Sequence, residues 1–216
     1  MPVVLHKFDP AQQQQNQASP GYLIAKVLAL HCADQYDLNQ TFGVGSGIAA
    51  WSCWAAVAIT PNAVHQALHH LQVNIPGAPA NFNPLAFSSA FGNSQMGTVN
   101  RTVNVPGFDG GAHAERAAIR AAAAANSAPY QIPGNPHHYV LFVQLEPCQH
   151  CHGWLTGPTR ARVANPWLNR MGPHGQWTFH VWYRWFYGAN GFETAQMALW
   201  NASQRHQRVI DIVQNW

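Results

Sequence analysis

Five residues in two short clusters carry the chemistry of this chain. His113 and Glu115 stand in the triplet HAE, and Pro147, Cys148 and Cys151 in PCQHC, with residues 116–146 between the clusters. One imidazole and two thiolates are donors that zinc accepts readily, and three protein ligands leave a fourth metal position for water. Glu115 adds a carboxylate that can take up and return protons beside such an ion. A purely structural zinc site wants a fourth Cys or His nearby. His150 and His152 are at hand, but each points off the helix face that Cys148 and Cys151 share, and Glu115 would then have no task.

The elements around these residues explain how they meet. Cys148 and Cys151 are three apart, so a helix presents them on one side. Pro147 has no N–H to lose at the first helical position, and the positive end of the helix favours the thiolate form of both cysteines. The preceding run Tyr139–Leu145 (YVLFVQL) is apolar and rich in β-branched and aromatic residues. It reads as a strand buried on both faces that delivers this helix start to a sheet edge. His113 and Glu115, two apart, diverge inside a helix and converge only at its tip. The glycines of FDGGA allow the sharp turn required there, and the helix is predicted over residues 112–126.

Charge bookkeeping points to hydrolysis. Two thiolates and a neutral imidazole offset the charge of a zinc ion, so water at the site needs a separate base. Glu115 is placed to take its proton and to return protons as the reaction proceeds.

Composition sets the frame. The chain has 216 residues, 47% of them hydrophobic and 12% aromatic, enough for a substantial core. Charged residues make up only 9%, and the formal net charge is +3. From Arg101 onward there are nine Arg and no Lys against five acids. Arginine binds phosphate bidentately and stacks on bases, which suits a nucleic-acid partner; an ordinary arginine-bearing surface is the plain alternative. Of four cysteines, Cys32 and Cys53 are left over from the motif and read as buried free thiols. The N-terminus lacks a secretion signal, and the longest apolar run, residues 48–59, is too short for a bilayer. Together with the thiolate site, this implies action in a cytoplasm, either the cell's own or that of a target cell into which the chain is delivered.

Along the chain, residues 1–19 read as a flexible lead-in and residues 20–96 as a helical region. Its helices are placed from Ser19-Pro20, over 48–59 and after Thr60-Pro61, followed by a loop-rich stretch at 74–97. Residues 97–216 alternate strands and helices. Strands are expected at 98–105, 139–145 and 178–187, and a closing helix over 193–213, giving an α/β fold.

With its H-x-E and P-C-x-x-C pair, the chain resembles the cytidine deaminase-like superfamily over roughly residues 97–190. That resemblance implies an α/β/α three-layer sandwich with a mixed sheet, Zn²⁺ as cofactor, His113, Cys148 and Cys151 as ligands, and Glu115 as the catalytic proton carrier. It also implies a strand Asn that holds sugar or base, for which Asn100 and Asn104 both qualify. A metal histidine in place of the cysteine of free-nucleoside enzymes is similar to enzymes acting on polynucleotides. No helix is evident between PCQHC and TFHVWYRWFY, so the two strands are expected to pair as an antiparallel hairpin. This resembles bacterial polymorphic-toxin deaminases, whereas tRNA adenosine deaminases and the APOBEC group have a helix-linked parallel pair.

Weaker features complete the reading. Trp182, Tyr183, Trp185, Phe186 and Tyr187 are candidates to stack bases, with Arg184 on a phosphate, although one face of such a strand must serve the core. His65 and His69 lack a third metal ligand, His152 is a candidate pocket residue, and Arg116 and Arg120 read as surface charges. The expected activity is conversion of cytosine to uracil, in single-stranded DNA or another polynucleotide. The alternatives are deamination of free cytidine, adenosine or their nucleotides, and an inactive deaminase-fold module that binds nucleic acid or protein. An intact Glu115 speaks against inactivity.

Overall fold

The computed structural model describes residues 3–22, 24–26, 28, 53–60, 88–93, 113–124, 126–132, 134–156, 171, 176–187, 192–203 and 205–216. Their centre is a mixed five-stranded sheet. Its strands are β1 (Val3–Lys7), β2 (Trp54–Ile59), β3 (Ser88–Asn93), β4 (His138–Leu145) and β5 (Thr178–Trp185), in the spatial order β1-β5-β4-β2-β3. β1, β5 and β4 run parallel, while β2 is antiparallel to both β4 and β3. The helices are α1 (Gln13–Gln17), α2 (Ala114–Ala124), α3 (Gln149–Thr156), α4 (Phe192–Ala202) and α5 (Arg205–Asn215). A further helical stretch includes residues 20–22, 24–26 and 28, started by Ser19, whose Oγ accepts from Tyr22 N at 3.2 Å.

Two apolar cores, one on each sheet face, make this an α/β/α sandwich. One joins Ala55, Val57, Ile59, Leu141, Val143 and Val181 to Ala114, Ala118 and Ala122 of α2 and Leu155 of α3. Small side chains on both β2 and α2 let helix and sheet approach closely. The other core joins Ala56, Phe142, Trp182 and Trp185 to Tyr22, Met197, Trp200, Ile212 and Trp216. β4 is buried from Tyr139 to Leu145, as its unbroken apolar run requires.

Several elements differ from expectation. Residues 54–59 form a strand rather than the end of a helix. The run WAAVAI is buried at every position, and a segment buried on both sides loses the periodicity that tells strand from helix. The loop-rich stretch 74–97 contains β3, a small and polar strand whose place is fixed by pairing with β2. Residues 3–7, read as part of a flexible lead-in, form β1 and pair with β5, and a one-turn 3-10 segment with α1 follows them. The sheet therefore draws three strands from residues 1–96, and both cores mix residues from either side of that boundary. The expected antiparallel hairpin is also overturned: β4 and β5 are parallel, with Tyr139 opposite Phe179 and Val143 opposite Tyr183. The strand expected at 98–105 and the helix after Thr60-Pro61 lie outside the described residues.

Helix ends follow local chemistry. α2 closes in a Schellman motif, in which Ser127 N bonds Ala122 O and Asn126 N bonds Ala123 O, each at 3.0 Å. Asn126 takes the left-handed conformation (φ 51°) that this motif demands. The single closing helix expected over 193–213 is broken at Ser203. Arg208 of α5, fully buried, turns back and donates from Nε to Ser203 O at 2.9 Å and from Nη2 to Asn201 O, capping the end of α4 with a cation.

Candidate metal centre

Both halves of the motif sit at helix starts that face one another. Ala117 N bonds His113 O at 3.1 Å, which makes His113 the residue immediately before the first turn of α2. His152 N bonds Cys148 O at 2.9 Å, giving Cys148 the same role for α3, with Cys151 inside that helix's first turn. Pro147 stands one position earlier than expected: it precedes the cap instead of opening the helix, and it is buried. The reason lies in β4. Glu146 N still bonds Trp185 O at 2.8 Å, so the chain leaves the sheet only after Glu146 and turns into α3 at Cys148.

The ligand atoms of His113, Cys148 and Cys151 all lie within 4.8 Å of one another. His113 Nδ1 is 3.5 Å from Cys148 Sγ, so that nitrogen faces the thiols. Glu115 is buried, and its Oε2 accepts from Cys151 Sγ at 3.3 Å. The donor set fits zinc: one nitrogen and two sulfurs converge, and the carboxylate stands at the rim of the cluster. Burial raises the pKa of Glu115, opposed by its own backbone N–H, by the Cys151 thiol and by the Arg116 charge. Burial also pushes the Cys151 thiol up, helped by the neighbouring Glu115 and Cys148 charges and opposed by Arg116. Buried acidic groups packed this tightly favour a cation among them, because one divalent ion lets the sulfurs ionise together.

Two further residues border the site. Arg116, read from sequence as a surface charge, is buried, and its guanidinium lies over the Trp154 ring at 5.6 Å from the centroid. The contact joins the first turn of α2 to α3, and its charge bears on both Glu115 and Cys151. Cys53, a cysteine outside any disulfide and just before β2, is raised mainly by burial and next by the Glu115 charge. Position alone was the available signal for Arg116, since the residue after Glu115 shares its helix turn. Cys53 became visible only once β2 was placed beside β4.

The weaker candidates separate clearly. Trp182 is buried, stacks on His6 at 4.4 Å between ring centroids, and lies against Gly21, where a Cβ would come within 2.1 Å of its ring. It is packing, not a platform for a base. Arg184 donates from Nη1 to Phe8 O at 3.3 Å and lies beside the rings of Trp185 and Trp216. Tyr183 and Trp185 are buried too, whereas Phe186 and Tyr187 are exposed, at 44% and 63%. His152 is exposed, and Arg120 is half-buried. Asn100, Asn104, Cys32, His65 and His69 lie outside the described residues.

Residues 84–163 match the family model of the cytidine and deoxycytidylate deaminase zinc-binding region. The matched stretch contains His113, Glu115, Cys148 and Cys151. With the His/Cys/Cys cluster, it supports the deaminase superfamily and a zinc-dependent deamination chemistry. No curated protein and no solved structure shows a significant match to the chain. No helix among the described residues is long and apolar enough to cross a membrane.

Proposed function

We propose that this chain is a zinc-dependent hydrolytic deaminase that converts cytosine to uracil in single-stranded DNA or another polynucleotide. The observation that carries the reading is the meeting of His113, Cys148 and Cys151 within 4.8 Å beside the buried Glu115 carboxylate. In the overall reaction, the oxygen of water replaces the exocyclic amine on its ring carbon, and the amine leaves as ammonia. His113, Cys148 and Cys151 would hold the zinc ion, which when bound would supply the Lewis acidity that makes water nucleophilic near neutral pH. Glu115 accepts a proton from that water, gives it to the ring nitrogen, and serves the departing amine in the same way. Its raised pKa suits a group that must both take and give a proton.

Support for a polymeric substrate comes from the end of the sheet where β4 and β5 finish. β4 and β5 leave it side by side, bonded through Glu146 N and Trp185 O, so Phe186 and Tyr187 emerge next to the stretch leading to Cys148. Exposed rings at such a place suit bases of a single strand. The parallel β4–β5 pair removes the topological likeness to the polymorphic-toxin enzymes. It is instead the pairing associated above with tRNA adenosine deaminases and the APOBEC group. Since that set includes enzymes for either base, the preference for cytosine rests on the matched cytidine and deoxycytidylate family model. The same description favours a second reading, deamination of free cytidine or its nucleotides.

The test is direct. Zinc-loaded protein is incubated with cytosine- and adenine-containing single- and double-stranded DNA, with RNA and with free nucleosides, and the products are sequenced or chromatographed. Uracil within a single strand is expected. Uracil from free cytidine alone overturns the polymer reading, and no deaminated product from any substrate overturns the enzyme.

A further inference from the structure

At the exit of β5, the far end of the sequence meets residues of the loop and the helix that follow the strand. Lys7, the last residue of β1, places Nζ 3.2 Å from Glu193 Oε1 in the first turn of α4 and 3.3 Å from the centroid of the Phe186 ring. The other oxygen of Glu193 accepts from Phe186 N. One carboxylate thus holds both the ammonium and the backbone of the loop, and the ammonium covers one face of the ring.

We propose that Lys7 is a positioning residue: the N-terminal strand fixes the loop leaving β5 and so sets how tightly the site holds a single-stranded substrate. The inference rests on the polynucleotide reading above. A partly exposed ion pair adds little to folding stability, so the contact matters for what it orients. It orients the residues that the fold leaves outside, Phe186 and next to it Tyr187, at the end of the sheet where the chain turns toward Cys148. Among the described residues β1 supplies no ligand to the metal cluster. The clasp is where it meets the exposed ring of Phe186.

Two readouts test the proposal without requiring turnover. One is the affinity of the zinc-loaded protein for a fluorescent cytosine-containing single strand, read by anisotropy. The other is the rate of chymotryptic cleavage after Phe186 and Tyr187. Lys7→Met is expected to weaken binding by about fivefold or more and to speed cleavage several-fold, at the same zinc content. Lys7→Arg restores both. Glu193→Ala separates orientation from charge: removing an acid should tighten binding to a polyanion if only electrostatics matter, whereas loss of the clasp weakens it. Tighter binding by Glu193→Ala, or Lys7→Met behaving as the parent in both readouts, overturns the inference. Failure of the parent protein to deaminate any substrate sinks the enzymatic reading without deciding the clasp measurements.

Discussion

Glu115 reaches Cys151 through one carboxylate oxygen and is otherwise enclosed, so its replacement separates metal binding from proton transfer. Glu115→Gln keeps the shape and removes the base. Zinc content measured by elemental analysis is expected to stay near one ion per chain, while kcat falls by about 10²–10⁴-fold, the usual weight of a general acid–base group. Loss of zinc in this variant would give Glu115 a ligand's role instead. Cys151→Ser should do the converse, losing zinc and activity together, since Cys151 lies at the floor of the cluster with no exposure. At this scale the sequence was most legible. Donor identity and spacing are local facts, and helix tips bring HAE and PCQHC together by short-range geometry. Trp182 and Arg184 were less legible, because an alternating aromatic strand does not state which face the protein covers. The answer lay in Gly21 and Phe8, more than 150 positions away along the chain.

Elements were legible where their ends are written locally and illegible where a neighbour decides. α2 shows the first case. Its Schellman closure needs a residue with positive φ, and Asn126 supplies it at some cost relative to glycine. Asn126→Ala is expected to destabilise the fold by about 1 kcal/mol and Asn126→Gly to leave it equal or slightly more stable, read by chemical denaturation. Equal losses in both would mean that the asparagine side chain, not its backbone conformation, is what counts. The α4–α5 break shows the second case. Ser203 turns back locally, donating from Oγ to Trp200 O at 2.7 Å, but a serine alone does not mark a stop. The buried Arg208 that binds the carbonyls of Asn201 and Ser203 comes from the next helix. Arg208→Met removes those donors and leaves buried acceptors, at a cost of about 3 kcal/mol. For a chain of this size that is a fall in Tm of roughly 6–12 °C. β2 belongs to the same class, since alanine-rich WAAVAI is a strand only because β3 and β4 flank it.

Across the whole molecule, the sheet is closed by chain ends that local patterns could not place: β1 docks on β5 from the far end of the sequence, and β4 pairs in parallel with β5. A row of three histidines crosses these strands. His6 Nε2 lies 2.9 Å from His180 Nδ1, and His180 Nε2 lies 2.8 Å from His138 Nδ1. Both bonds are kept when His180 is neutral, donating from one ring nitrogen and accepting at the other. Burial, followed by the proximity of His6 and His138, holds His180 down to about 4, and burial lowers His6 as well. The sign follows. Below pH 6.5 the unfolded chain takes up protons that the folded rings refuse, so stability is full above pH 6.5 and is lost as pH falls toward 4. After allowance for solvent screening, His180 accounts for on the order of 1 kcal/mol, or ~2–4 °C in Tm, across this range. His180→Phe keeps a ring in the row but cannot bind a proton. Thermal melts of parent and variant between pH 7.5 and about 4.5 should therefore converge on acidification, the parent losing more. Parallel curves would mean that His180 carries the same proton in the folded and unfolded chain and plays no part in acid sensitivity.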